Sequence, residues 1–315
     1  MTGRLERLEF HAVGTTCTAA VTSGPKARRA LAAARDEVAA CEQALSRFDP
    51  ASDLSRLNAA GGAWLPVDRR LVEALRFALR ARDDTNGLFD PTVLPALAAA
   101  GYDRSFTELV ERPPRVAAGW RAGTAIDLDE EGSRARLAPG TAIDLGGIGK
   151  GYAAMRAVAA MRDVWPTLPG ALVDLGGDLA LEGRSPDGGT WRIAVADPRR
   201  PGGTAGTLLL GSCGVATSGR DVRRFGPGGS LHHLIDPATG LPAEPGPLAV
   251  TVVAPSAAEA EAHATALGIS SLAEATKHVE RWPRISAVYV PHDGDPVPLG
   301  RPPLARPSRI LVRAA

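Results

Sequence analysis

Residues 143–152, Ile143-Asp144-Leu145-Gly146-Gly147-Ile148-Gly149-Lys150-Gly151-Tyr152, constrain the fold of this chain more than any other stretch. A strand-like apolar approach through Ala142 and Ile143 meets an aspartate, four glycines in six positions, a lysine, and then an alanine-rich helical run. Glycine permits positive φ and close backbone approach, and the start of a helix offers unpaired N–H groups to an anion. The stretch is therefore either an anion site, with Lys150 adding a mobile positive charge, or a Gly-rich turn packed tightly for steric reasons. It matches neither common nucleotide motif. A P-loop needs Ser or Thr after the lysine and Gly six residues before it, where this chain has Gly151 and Asp144. The glycines also lack the dinucleotide spacing, and no acidic residue follows on the expected strand.

With 315 residues, 44% of them hydrophobic, the chain can bury a substantial core. Its 36 Lys and Arg against 35 Asp and Glu leave no basic surplus, so nucleic acid is not an expected partner. Cys17, Cys41 and Cys213 are scattered without CxxC spacing, which argues against a disulfide framework or a zinc site. No window approaches eighteen uninterrupted apolar residues, so no membrane span is expected. Charges recur through the first residues with no apolar signal region, and Cys17 does not sit in a lipidation context. A cytoplasmic location is the expectation.

Strand-like residues 8–13 turn through Gly14-Thr15-Thr16 into a hairpin partner at 17–21. The apolar spacing predicts a helix over 26–48, with Leu31, Val38, Cys41, Leu45 and Phe48 on one face, and a second over 70–82. A short helix is expected at 95–100, a hairpin over 125–144 delivering the Gly-rich stretch, and a helix over 152–165. Strands follow at 171–175, 191–195, 206–210, 249–253, 285–290 and 310–312, with helices from a Ser256/Glu259 capping box to Leu267 and over 272–282. Strands and helices interleave without a βαβ beat. The fold class is thus α+β with largely antiparallel pairing, over one unit spanning 1–315.

The order of the punctuation clusters carries more than any one of them. Phe48-Asp49-Pro50 with Ser52 to Asn58, Asn86-Gly87-Leu88-Phe89-Asp90-Pro91-Thr92, the 144–152 stretch, Asp174-Leu175-Gly176-Gly177-Asp178, Ala216-Thr217-Ser218-Gly219, His233-Leu234-Ile235-Asp236-Pro237-x-Thr239-Gly240 and the helix around 260–266 are collinear. Together they resemble the ApbE family of FAD:protein FMN transferases. The resemblance runs from Val13 to Leu267. It implies a T-fold-like architecture of mainly antiparallel sheets with packed helices. It also implies binding of FAD and Mg²⁺, and transfer of FMN to a Thr or Ser hydroxyl of an acceptor protein with release of AMP.

Carried over position by position, the resemblance implies a metal site from the Gly147 carbonyl and the side chains of Glu261 and Thr265, four residues apart on one helix face. It implies flavin contacts from Val13, Phe48, Leu88, Phe89, Asp90, Asp144, Lys150 and Ile235, and His233 as the base for the acceptor hydroxyl. The residues admit plainer readings as well. Glu261 is then a solvated helix carboxylate, Phe48 closes the core at a helix end, Asp90 and Asp236 are Asp-Pro turn formers, and His233 orders the turn before Asp236. The chain departs from the family pattern in several places. Phe48 replaces a common Tyr, Glu261 and Met155 replace Asp, Ala264 replaces a second acid, and Val222 replaces a Tyr. Those departures leave two alternatives to transfer: an FAD-holding protein, or hydrolysis of FAD to FMN and AMP.

Overall fold

The computed structural model describes residues 3–104, 108–109, 115–220, 224–226, 231–244 and 246–305. The expected strand at 310–312 and Val222 lie outside them.

In chain order the elements are β1 (Leu5–Ala12), β2 (Thr15–Thr22), α1 (Ala27–Leu45), α2 (Asp53–Ala59), β3 (Leu65–Pro66) and α3 (Arg69–Asp84). A 3-10 turn at Pro91–Val93, α4 (Leu94–Ala100), β4 (Ile126–Asp129), β5 (Arg134–Leu137) and α5 (Gly149–Val164) follow. Next come β6 (Gly170–Leu175), β7 (Leu179–Gly183), β8 (Trp191–Ala196), β9 (Thr204–Leu210) and β10 (Cys213–Gly219). Four two-residue strands, β11 (Arg224–Phe225), β12 (Leu231–His232), β13 (Ile235–Asp236) and β14 (Leu241–Pro242), precede β15 (Ala249–Ala254). The order ends with α6 (Ala257–Gly268), α7 (Leu272–Arg281), β16 (Ser286–Val290) and β17 (Val297–Leu299).

Eight strands form one sheet in the order β1-β2-β6-β7-β10-β15-β16-β17, with each neighbouring pair antiparallel. The period-2 alternation of strands sorts its side chains between two cores. On one face Cys17, Ala19, Val21, Ala171, Val173 and Leu175 pack under α1 and α5. Ala216, Val250 and Val252 continue this face under α6 and α7. On the other, Leu179, Leu181 and Val215 meet Trp191, Val195, Leu208 and Leu210 of the β8–β9 hairpin.

The α1 helix forms because Ala27, Ala30, Leu31, Ala34, Val38, Cys41 and Ala44 recur at helical spacing and are all buried. It ends at Leu45, before the expected Phe48. The α5 helix starts at Gly149, inside the glycine run and ahead of the expected Tyr152. Only half of the Ser256 capping box forms: Ser256 Oγ accepts from Glu259 N, while a complete box is built at Ser271 and Glu274. The first hairpin turns on Val13 and Gly14 alone, with φ of 49° and 71°, and pairs Ala12 with Thr15. Positive φ at both turn residues matches the strand twist, but valine is an uncommon occupant of the first.

Candidate active site

The approach to the Gly-rich stretch is not a strand. Asn58, near the end of α2, takes the place of a partner strand: its Nδ2 donates to Ile143 O at 2.9 Å and its Oδ1 accepts from Ile143 N at 2.8 Å. Asp144 N then donates to Pro91 O at 2.8 Å, fastening the stretch to the Phe89-Asp90-Pro91 segment.

None of the four glycines has a positive φ, so they are not there to permit a left-handed turn. Close approach explains three of them. A Cβ on Gly146 would stand 2.9 Å from Asp144 Oδ2. One on Gly147 would stand 2.8 Å from Thr265 Oγ1 and 3.2 Å from Phe89 Cε2. One on Gly151 would stand 2.2 Å from Ala257 O, which lets the start of α5 lie against the start of α6.

That contact brings the implied metal residues together. Glu261 is buried, and its Oε2 accepts from Gly151 N at 2.7 Å, placing the carboxylate at the positive end of α5. Its other oxygen stands 3.7 Å from Lys150 Nζ, and Lys150 also pairs with the buried Asp178 carboxylate. One turn on along α6, Thr265 Oγ1 donates to Gly147 O at 3.4 Å. Glu261 is therefore not a solvated helix carboxylate.

A second group lies around Asp144. Asp144 Oδ1 is 3.1 Å from Arg47 Nε, with both side chains largely buried. The Arg47 guanidinium stands over the rings of Phe48, at 4.1 Å, and Tyr102, at 4.6 Å, and donates to Tyr102 O. Phe48 is 45% exposed and therefore presents ring surface instead of closing the core. Tyr102 in turn stacks on Phe225 at 5.7 Å, in an apolar cluster that includes Ile235.

The other candidates are distributed around these groups. Phe89 is buried against Gly147, and Leu88 packs on the main core. Asp90 takes the turn-forming role: its Oδ1 accepts from Thr92 N and Oγ1, and its Oδ2 from Gly123 N at 2.6 Å. Val13 N donates to Glu42 Oε1 at 2.8 Å, and the same hairpin abuts Gly176, beside the turn that carries Asp178. His233 is half-buried between β12 and β13. The following Leu234 reaches the C-terminal end of α6, since a Cβ on Gly268 would stand 3.1 Å from Leu234 Cδ1. His232 is the structural histidine of the pair. Its Nδ1 accepts from Leu234 N and its Nε2 faces Ala243 O, and burial and then Arg220 hold it below the usual histidine range.

Sequence reasoning missed Arg47, Asn58, Asp178 and Tyr102 as members of this region. Arg47 directly precedes the quoted Phe48 motif, and Asn58 and Asp178 lay inside quoted clusters without a role. On the far side of α6, His263 is buried with its Nδ1 2.9 Å from His278 Nε2 of α7. Burial, then His278, push His263 down to about 3, and burial, then Arg281, lower His278.

Residues 13–289 match the model of the ApbE family. The chain belongs to the ApbE family. It is 30% identical over 301 residues to the FAD:protein FMN transferase of Treponema pallidum (strain Nichols), covering 88% of this chain and 82% of that protein. The FAD:protein FMN transferase of Escherichia coli (strain K12) is 28% identical over 265 residues, covering 81% and 74%. Among solved structures, an ApbE protein from Thermotoga maritima superposes with a TM-score of 0.85 at 28% identity, covering 95% of this chain and all of that one. The apo flavinyl transferase ApbE of Pseudomonas stutzeri gives 0.78 at 25% identity, covering 95% and 96%. The α+β fold read from the sequence is the ApbE fold. No helix among the described residues is long and apolar enough to cross a membrane.

Proposed function

We propose that this protein is a Mg²⁺-dependent flavin transferase that moves FMN from FAD to a Thr or Ser hydroxyl of an acceptor protein. The observation that carries the reading is the meeting of the Gly147 carbonyl, the Thr265 hydroxyl and the buried Glu261 carboxylate where α5 and α6 touch. These are hard oxygen donors, the ligand type Mg²⁺ takes, and few are needed because this ion keeps water and substrate phosphate oxygens in its shell. Among the described residues no cluster of three His, Cys, Asp or Glu is poised for a metal, so the site would rest on backbone and hydroxyl oxygens beside one acid. Glycine at 147 preserves the space that a side chain would take from Thr265. Bound there, Mg²⁺ would neutralise charge on the FAD pyrophosphate.

The protein's own residues have separable roles in this reading. Lys150, steadied by Asp178, adds positive charge beside the pyrophosphate. Phe48, under the Arg47 guanidinium that also stands over the buried Tyr102, offers aromatic surface to the isoalloxazine ring, with Leu88, Phe89, Ile235 and Val13 shaping the walls. Asp144 accepts hydrogen bonds from the nucleotide while Arg47 fixes its orientation. Asp90 holds the loop that presents Phe89. His233, as neutral imidazole, accepts the proton of the acceptor hydroxyl as its oxygen bonds to the FMN phosphorus. The bond from that phosphorus to the bridging oxygen breaks, and AMP leaves with the electron pair.

The test combines purified protein, FAD, Mg²⁺ and a Thr-containing acceptor domain. An acceptor mass increase by one FMN, with one AMP released per adduct, is expected, and Thr265→Ala should reduce the rate by about tenfold or more. An unaffected Thr265→Ala protein would sink the metal assignment. AMP release without an adduct would convert the reading to hydrolysis, and FAD binding without AMP to a holding protein.

A further inference from the structure

The sheet ends on β1, whose outer edge borders a cleft against α1 of about 640 Å³. Arg4, Arg7, Arg28 and Arg35 line it, against the single carboxylate of Glu6, with Leu31 in the lining. Arg35 pairs with Asp36, but Arg4, Arg7 and Arg28 are exposed and make no ion pair among the described residues. Helix α1 opens here without an acidic residue in its first turn and without a side-chain cap. Its positive end therefore adds to the arginines, the reverse of the charge that usually settles there.

The backbone of the edge is also available. The two-residue turn makes Ala12 and Thr15 a hydrogen-bonded pair, so every second residue back along β1 faces β2, down to Arg4, whose O accepts from Ser23 N at 2.7 Å. Leu5, Arg7, Glu9 and His11 accordingly turn their N–H and C=O groups outward. Gly3 N is taken by Pro186 O, and beyond it no described residue pairs this edge.

We propose that an acidic, extended segment of a partner protein binds here, adding as a strand to β1 with carboxylates of its α1-side face on Arg4 and Arg28, while Arg7 adds positive charge from the opposite face of the edge. Charges on an edge strand alone would serve to discourage chance pairing. The arginines on α1 lie across the cleft, where that purpose does not need them. Nucleic acid suits the site less well, because no aromatic residue lines it for base stacking and Glu6 opposes a phosphate chain. The chain's own residues 306–315 carry Arg306, Arg309 and Arg313 and no acid, so their charge is of the wrong sign. The proposal does not rest on the flavin reading, and its test needs no flavin.

The full chain is titrated into a fluorescein-labelled peptide of four Glu-Val repeats and followed by anisotropy. Saturable binding is expected that weakens as salt rises from about 50 to about 200 mM. An Arg4→Glu, Arg28→Glu double variant should weaken binding about tenfold or more, with Arg7→Glu alone as a milder second variant and circular dichroism confirming that both fold. A Glu-Pro repeat of equal charge should bind about tenfold or more weakly, since proline does not enter a paired strand. Equal binding of the Glu-Pro peptide would overturn strand addition. No binding up to about 1 mM, equal binding of a Lys-Val peptide, unchanged binding by both charge-reversed variants, or displacement by a single-stranded DNA oligonucleotide would overturn the site itself.

Discussion

Replacing Gly151 by alanine sets two opposing effects against each other within one helix. In an ordinary helix interior Gly→Ala stabilises by about 0.5–1 kcal/mol, because alanine loses less backbone entropy. At Gly151 the new Cβ would stand 2.2 Å from Ala257 O, 2.6 Å from Ala257 C and 3.0 Å from Ala258 N. These are backbone atoms and cannot rotate away, so α5 and α6 must separate at this end. Overpacking of this kind costs about 1–3 kcal/mol, and occasionally more. Separation also stretches the 2.7 Å bond from Gly151 N to Glu261, of a kind worth about 1.5–3 kcal/mol. The losses exceed the gain, and a net destabilisation of about 2–4 kcal/mol is expected. Urea denaturation monitored by circular dichroism measures it. Gly149→Ala is the internal control, because its Cβ would find only Leu145 Cβ at 3.8 Å, an ordinary contact, and that variant should be neutral or slightly stabilised. If the Gly151 variant unfolds at the same urea concentration as the Gly149 variant, the steric account of this glycine is wrong.

Two other substitutions test features away from that contact. Val13 sits at φ 49°, where a β-branched residue is strained and Asn is tolerated, as Asn86 at φ 52° already demonstrates in this chain. Val13→Asn should raise stability by about 1 kcal/mol in urea titration while Val13→Ala does not, and a destabilised Asn variant would refute the strain argument. The buried His263 supplies a pH dependence. Its folded-state pKa, near 3, lies below the unfolded value near 6.5, so the unfolded chain binds the extra proton between them. The contribution is present above about pH 6.5 and lost as pH falls toward 3, amounting to about 2 kcal/mol by pH 5. Arg284 acts on His263 in the same direction as burial, whereas on His278 the lowering by burial and Arg281 is opposed by Asp84. Measured between pH 7 and 5, the wild-type stability should fall by about 2 kcal/mol more than that of His263→Phe, and parallel slopes would count against the assignment.

The long helices α1 and α3 were legible because their buried residues repeat at three and four, a pattern that needs no knowledge of the partner. Strands β7 and β10 went unread: Leu179–Gly183 is buried on both faces at its start, and Cys213–Gly219 is Gly-, Ser- and Thr-bearing, so neither alternates. The clusters at 144–152 and 261–265 stand out in the sequence, and in the structure Glu261 and Thr265 of α6 both bond to the Gly-rich stretch. What the spacing does not contain is the pairing of Asp144 with Arg47 or of Lys150 with Asp178, which the sheet and the helix contacts impose from far along the chain. The glycines were visible but their reason was not. A glycine that lets backbone pass backbone looks the same in sequence as one that lets the chain turn left-handed.

The strand order of the large sheet has a consequence for how the protein is made. β2 waits for β6, with Cys17 opposite Leu175, and β7 waits for β10, with Leu181 opposite Cys213. Pairings of such long range form slowly, because chain closure must precede any gain from contact. During synthesis the first hairpin and α1 emerge with Cys17, Ala19 and Val21 still lacking the β6 strand and α5 helix that complete their core. The helix that brings Glu261 and Thr265 comes only after β15, near the end of the chain. A nascent chain therefore carries the Gly-rich wall of the site for about a hundred residues of elongation without the wall opposite, several seconds at ordinary translation rates.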